Sequence, residues 1–295
     1  MRIVIFLNGA RGISVLSHIL GDARFEVPGV VTPLAFSNRP LAALQAANHF
    51  AHLQLADVNA HDSCAALRSF HPDVFLIAGF STIFRAQLLQ VPVMATLNLH
   101  AGRLPAYRGG SPLNWQLVNG ETSAGVSVIR VEEGIDSGPI MAESSFPIGH
   151  RDTIAQLHHK ANGLFPQLAV KALQCLVSND YSGRAQPEIE ARYWHQITDA
   201  DGRINFGGMP AAAVDRMVRA ITRPYPGAFA YSGSHKVRIY AAEIPALCLR
   251  GVPGRICYVM HKGPYIICAD KAILVTDYQI ESQPHLKLTH GNYLA

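Results

Sequence analysis

A Rossmann-like α/β domain with a mostly parallel sheet and helices on both faces, followed by a small C-terminal β-barrel of the OB kind, is the fold this sequence predicts. The first part rests on short continuous apolar runs, suited to strands buried on both faces, that alternate with segments of helical apolar spacing. The second rests on short alternating segments past residue 209, separated by Gly and Pro turns. With 295 residues, 49% of them apolar, the chain can bury one large core and one small one. The expected division is a catalytic domain over 1–178, a linker over 179–208 and the barrel domain over 209–295.

Residues 3–7 form the first apolar run, which ends at Asn8-Gly9-Ala10-Arg11-Gly12. Ile13, Leu16 and Leu20 then fall at helical spacing. The glycines do not match GxGxxG and no acidic residue closes a second strand, which excludes a dinucleotide site. Strand-like 25–32 and helix-like 40–50, with Leu41, Leu44 and Ala47 on one face, repeat the unit. A short strand near Leu53, a helix over 61–70 and a strong strand over 74–78 follow. Gly79-Phe80-Ser81-Thr82-Ile83-Phe84 is apolar where a loop is usually polar, which fits either the first turn of a core helix or the wall of a pocket for a flat aromatic ligand.

The run 93–97 reads as a buried strand leading into Asn98-Leu99-His100-Ala101-Gly102. Asn98 and His100 stand two residues apart, so an extended backbone projects both from one side. Residues 112–120 read as a helix with proline in its first turn, and 123–131 and 140–148 as strands around the turn-rich loop that carries Asp136. Asp152 is expected to cap a long amphipathic helix with Ile154, Leu157, Ala161, Leu164, Leu168 and Leu173 inward. Residues 209–222 read as a further helix, and strands near 228–231, 235–244, 254–261, 264–269 and 272–280 make up the expected barrel.

A net charge of +4 with dispersed Lys and Arg argues against a nucleic-acid partner. The five cysteines, at 64, 175, 248, 257 and 268, include no CxxC pair and read as reduced thiols of a cytoplasmic protein. The opening apolar run is too short for a signal peptide, and no run reaches membrane-spanning length. No serine elbow, HExxH or Walker loop marks a hydrolase or kinase, and no metal is expected: His100 with Asp136 lacks a third ligand at conventional spacing.

The ordered set Asn98-Leu99-His100, Leu104-Pro105-x-Tyr107-Arg108-Gly109 and Gly134-Ile135-Asp136-Ser137-Gly138 resembles the signature of the folate-dependent formyltransferases. Ser111-Pro112-Leu113-Asn114-Trp115-Gln116-Leu117 is similar to the sugar N-formyltransferase branch, in particular the formyltransferase half of the UDP-4-amino-4-deoxy-L-arabinose enzyme, and Asp201–Phe206 and Val218–Phe229 agree. The dehydrogenase–decarboxylase half of that enzyme is expected to be missing. Methionyl-tRNA formyltransferases, the neighbouring branch, are the alternative.

The resemblance implies 10-formyltetrahydrofolate as donor, a nucleotide-linked amino sugar as acceptor and a place in cell-surface polysaccharide (lipopolysaccharide) precursor synthesis. It implies Asn98, His100 and Asp136 as catalytic residues. Phe80, Ser81, Thr82, Ile83 and Ile135 would line the folate pocket. Arg108 would either meet a ligand anion or serve as a structural ion pair. Asn8, Gly9, Arg11, Gly12 and Tyr107 would contact the sugar nucleotide. The small C-terminal domain suits either a homodimer contact or support of the catalytic domain.

Overall fold

The computed structural model describes residues 1–36, 39–178, 182–281, 283 and 285–295; positions 179–181 of the expected linker lie outside them. The chain runs β1 (Arg2–Leu7), α1 (Gly9–Leu20), β2 (Glu26–Thr32), α2 (Arg39–Asn48), β3 (Ala51–Gln54), α3 (His61–Arg68), β4 (Val74–Ala78), α4 (Ala86–Leu89), β5 (Ala95–His100), β6 (Arg108–Gly109), α5 (Pro112–Val118), β7 (Ser123–Arg130), β8 (Ile140–Pro147) and α6 (Ile154–Val177). It continues with β9 (Tyr193–Trp194), α7 (Ala211–Ile221), β10 (Ala228–Ser232), β11 (His235–Glu243), β12 (Ile256–Val259), β13 (Gly263–Ile267) and β14 (Ala272–Ile280).

Two compact units are interleaved along the chain. Met1–Gly109, Gly125–Phe146 and His159–Tyr193 form the first, and Gly110–Ala124, Pro147–His158 and Trp194–Ala295 the second. The change of composition at 178 therefore marks no single cut. α5 groups with the second unit because Asn114 Nδ2 donates to Ala220 O (2.8 Å) and Arg216 Nε to Val118 O (3.0 Å).

The sheet of the first unit has the strand order β3-β2-β1-β4-β5-β7-β8. Pairing is parallel from β3 across to β5, and β7 runs antiparallel to β5. β4 is buried throughout and β1 from Ile3 onward, as their unbroken apolar runs require. Leu7 stands opposite Ala78, and Ile77 opposite Asn98, so the carboxyl ends of β1, β4 and β5 lie side by side. That edge is where open α/β sheets take their ligands.

Three local expectations shift. The apolar run at 93–97 is only partly strand: β5 begins at Ala95, and Val93, 82% exposed, sits in a turn where its N–H donates to Pro72 O. The buried stripe of α1 is Gly12, Val15, Leu16 and Ile19, because the close approach of the helix to β1 falls at Gly12. A Cβ there would collide with Leu7 Cβ and lie 3.1 Å from Ala78 O. The cap of α6 is Thr153, whose N–H donates to Gln156 Oε1 (2.7 Å), while Asp152 turns back to accept from Gly149 N–H (2.6 Å).

The second unit carries an antiparallel sheet of order β10-β11-β14-β13-β12. Ile239, Val237, Ile256, Ile266, Ile273 and Val275 are buried there with Val214 and Val218 of α7. The expected closed barrel does not form, since no ladder joins β10 to β12 among the described residues. The C-terminal tail occupies both edges instead. Ile256 N–H donates to Asn292 O (2.8 Å) at one, and Tyr231 and Ala295 exchange N–H···O bonds (2.7 and 2.8 Å) at the other, so single bridges replace the missing ladder.

Gly12→Ala is expected to destabilise the chain by about 1–3 kcal/mol through overpacking of α1 on β1. A urea unfolding midpoint equal to that of wild type would contradict the packing role of this glycine.

Candidate active site

β5 lies between β4 and the antiparallel β7, with Asn98 opposite Ile129 and His100 opposite Ser127. The alternation of the strand puts Asn98, half-buried, and His100, 6% exposed, on the same side. Immediately beyond, the chain folds tightly beneath the imidazole. A Cβ on Gly102 would lie 2.5 Å from His100 Nε2 and 2.7 Å from Tyr107 O, so only glycine fits there. Ser127 Oγ donates to Gly102 O (3.0 Å) and fixes the bend. His100 Nε2 sits 2.6 Å from Tyr107 O. A carbonyl oxygen only accepts, so Nε2 carries the hydrogen and Nδ1 is the nitrogen left for chemistry.

Asp136 reaches the same point from the loop between β7 and β8. Its backbone is left-handed (φ 49°), and Gly134 two residues before also has positive φ (111°). A Cβ on Gly138 would collide with Arg130 O, which makes the loop as tight as its glycines allow. Three groups then meet the Asp136 carboxylate. Oδ2 accepts from Gly109 N–H (2.9 Å) and stands 3.4 Å from His100 Nδ1, while Oδ1 is 3.4 Å from Asn98 Nδ2. Asn98, His100 and Asp136 therefore form one cluster.

A segment that reads as linker in the sequence straps this cluster from outside. Arg184 and Ile140 exchange backbone hydrogen bonds (2.8 Å each). Gln186 Nε2 donates to Asp136 O (2.8 Å) and Gly138 O (2.6 Å), and its Oε1 accepts from Arg108 Nε (3.0 Å). Arg108 N–H donates to Arg192 O (3.0 Å), and Arg192 N–H to Pro105 O (3.1 Å). Gln186 and the Gly109 amide were invisible to sequence reasoning, because single long-range hydrogen bonds leave no spacing or motif.

Arg108 takes the structural of its two expected roles. Its side chain is fully buried, with Nη1 bonded to Glu188 Oε1 (2.8 Å) and Tyr193 OH (2.7 Å). Burial opposes its charge, but the bonds to Glu188 and Tyr193 outweigh this and raise its pKa above the ordinary arginine value. The same bond holds the Glu188 carboxyl below its usual range. Tyr107 and Gly12, expected at a sugar nucleotide, are likewise buried: Tyr107 serves through its backbone carbonyl, and Gly12 serves helix packing.

Asn8 and Gly9 are exposed at the end of β1, and Arg11 extends from α1 so that its Nη1 lies 3.4 Å from Leu99 O and its Cζ 4.7 Å from the centre of the Phe165 ring. Phe80 packs edge-on against Phe6 (5.7 Å) and anchors the loop after β4 in the core. Asn59 Nδ2 pins the same loop by donating to Ile83 O (3.0 Å). Ser81 and Thr82 are exposed, and Ile83 (75%) and Ile135 (53%) present unusually bare apolar side chains on the loops after β4 and β7. The arrangement thus offers amide and imidazole donors, a carboxylate that can take a proton, and apolar loops able to cover a flat ring.

Residues 29–173 match the Formyl transferase family, and residues 196–290 match the Formyl transferase, C-terminal domain family. The methionyl-tRNA formyltransferase of Aromatoleum aromaticum is 30% identical over 280 residues, which is 92% of this chain and 87% of that one. That of Geobacter sulfurreducens is 28% identical over 247 residues, covering 84% and 77%. Solved structures share the fold. WlaRD, a sugar 3N-formyl transferase in the presence of dTDP and 5-N-formyl-THF, gives a TM-score of 0.70 at 19% identity over 96% of this chain and 98% of its own. The N-formyltransferase of Helicobacter canadensis, in complex with folinic acid and dTDP-3-aminofucose, gives 0.69 at 19% identity over 94% and 98%. HypX of Aquifex aeolicus in complex with tetrahydrofolic acid gives 0.65 at 20% identity over 98% of this chain, which spans 46% of HypX. Matches to both domain families, with a relative 30% identical along nearly its whole length, show that the chain belongs to the formyl transferase family, and it is an enzyme of that folate-dependent group.

Proposed function

We propose that the chain transfers a formyl group from 10-formyltetrahydrofolate to the amino group of a nucleotide-linked amino sugar. The observation that carries formyl transfer is the meeting of Asn98, His100 and Asp136 at the carboxyl end of β5. A donor with a flat fused ring fits the loops beside it, where exposed Ile83 and Ile135 would gain from being covered and Ser81 and Thr82 can meet ring-edge polar atoms. Bound there, the donor supplies the formyl carbon: the acceptor amine forms a bond to it, its bond to the folate nitrogen N10 breaks, and the proton lost by the amine ends on that leaving nitrogen.

The roles follow from which atoms are already engaged. Among the described residues Asn98 Nδ2 makes only a long contact to Asp136, and it can give an N–H to the oxygen on which negative charge grows. His100, tied through Nε2 to Tyr107 O, presents Nδ1 as the nitrogen that holds or passes a proton. Asp136 Oδ2 is fixed by the Gly109 amide, so Oδ1 is the freer oxygen and the one suited to take a proton from the attacking amine.

The sugar acceptor draws support from charge. In the second unit Arg151, Arg219, Arg223, Arg238 and Lys236 are each paired with a carboxylate, which weakens the pull such cations would exert on a phosphate backbone. The Pro112-Leu113-Asn114-Trp115 helix and the two sugar N-formyltransferase structures of similar fold point the same way. A second reading, methionyl-tRNA formyltransferase, draws on the 30% identity to the Aromatoleum aromaticum enzyme.

Two outcomes follow. Supplied with 10-formyltetrahydrofolate and offered either a panel of amino-sugar nucleotides or charged initiator tRNA, the protein is expected to formylate a sugar nucleotide; formylation of the tRNA alone would establish the second reading. Asn98→Ala, His100→Ala and Asp136→Ala are each expected to lower kcat by about 100- to 1,000-fold, roughly 3–4 kcal/mol of barrier, with KM little altered. Wild-type turnover by any of the three would remove that residue from the chemistry.

A further inference from the structure

The strap over residues 184–192 contacts both loops of the cluster, and at its centre stands a side chain the formyl-transfer reading does not use. Gln186 is half-buried, and its amide is directed at the site: Nε2 donates to Asp136 O and Gly138 O, and Oε1 accepts from Arg108 Nε. The amide has one workable orientation, because flipping it would set oxygen against two carbonyl oxygens and nitrogen against a guanidinium. On its far side Arg108, fully buried, is itself clamped by Glu188 and Tyr193. Arg108 and Gly109 are consecutive, so the cation that orients Gln186 adjoins the amide that holds Asp136 Oδ2.

We infer that Gln186 is the positioning residue that holds the Asp136 loop in its left-handed turn and so aims the carboxylate at Asn98 and His100. An Asp at φ 49° lies in a sparsely populated backbone region, and bonds to the loop backbone from outside favour its keeping that shape. Gln186 grips it at two carbonyls, and the Gly109 amide fixes the carboxylate from the other loop. The inference rests on the formyl-transfer reading for its kinetic consequence, but not for its structural one.

Gln186→Glu is the informative variant, since it keeps an acceptor for Arg108 while setting a carboxylate against the two carbonyls; Gln186→Leu removes both contacts and serves as its companion. In both, Gly109 amide hydrogen exchange, read by NMR, is expected to quicken by about tenfold or more as the Asp136 carboxylate loosens. With whichever acceptor the wild-type protein formylates, kcat is expected to fall by about 30- to 100-fold while KM for both substrates stays within about twofold, the pattern of misaimed chemistry. In an Asp136→Asn background the further loss on Gln186→Leu is expected to shrink to about threefold or less. Unchanged Gly109 exchange overturns the inference whatever the activity shows, and so does an undiminished kcat. A wild-type protein that formylates nothing while Gly109 exchange quickens in both variants would count against the functional reading alone.

Discussion

The Asp136 carboxylate is the point on which the site depends. It joins the loops beyond the sheet edge: Gly109 N–H comes from one side, and Asn98 and His100 come from the end of β5. A carboxylate accepting from several donors binds its surroundings more strongly than neutral groups would, since charge-assisted hydrogen bonds are about twice as strong. Withdrawing it would take away the group that faces His100 Nδ1 and leave the Gly109 amide without that acceptor. The tight glycines of the site serve the same end. Gly102 lets the chain fold beneath His100, and Gly138 lets the Asp136 loop close against Arg130.

The parallel sheet supplies the platform. β4 and, from Ile3 onward, β1 are buried apolar strands, and they bring the carboxyl ends of three strands into register. β7 closes the other side of β5 antiparallel, and it hands the chain directly to the loop that carries Asp136. The strap from Arg184 to Arg192 then ties that loop to the Pro105–Gly109 stretch by backbone bonds and through Gln186. The second unit solves a separate problem: its sheet leaves β10 and β12 as edges, and the final residues of the chain occupy both.

Much of this was legible in the sequence, for physical reasons that differ from residue to residue. Continuous apolar runs mark β1 and β4 because burial on both faces admits nothing else, and the two-residue spacing of Asn98 and His100 marks their shared side of a strand. Gly12, expected at the sugar nucleotide, instead stands where α1 packs on β1, and a contact between a helix backbone and Leu7 has no signature in the sequence. Arg108 carries two readings, and its buried side chain makes the ion pair, to Glu188, that the structural one expects. Gln186 and the tail at Gly291–Ala295 left no trace at all. Each acts through isolated hydrogen bonds to distant partners, and such bonds impose neither periodicity nor composition.

Tyr107 O holds His100 by Nε2, so that Nδ1 faces Asp136. Long-range 15N–1H spectra of protein labelled at its histidines, with His100→Gln used to assign the signal, report directly which ring nitrogen carries the hydrogen. Nε2 is expected to be protonated and hydrogen-bonded in the resting enzyme, and replacing Asp136 by Ala is expected to move the Nδ1 resonance while leaving Nε2 in place. A resting tautomer with hydrogen on Nδ1 and a bare Nε2, or an Nδ1 resonance indifferent to Asp136, would contradict it.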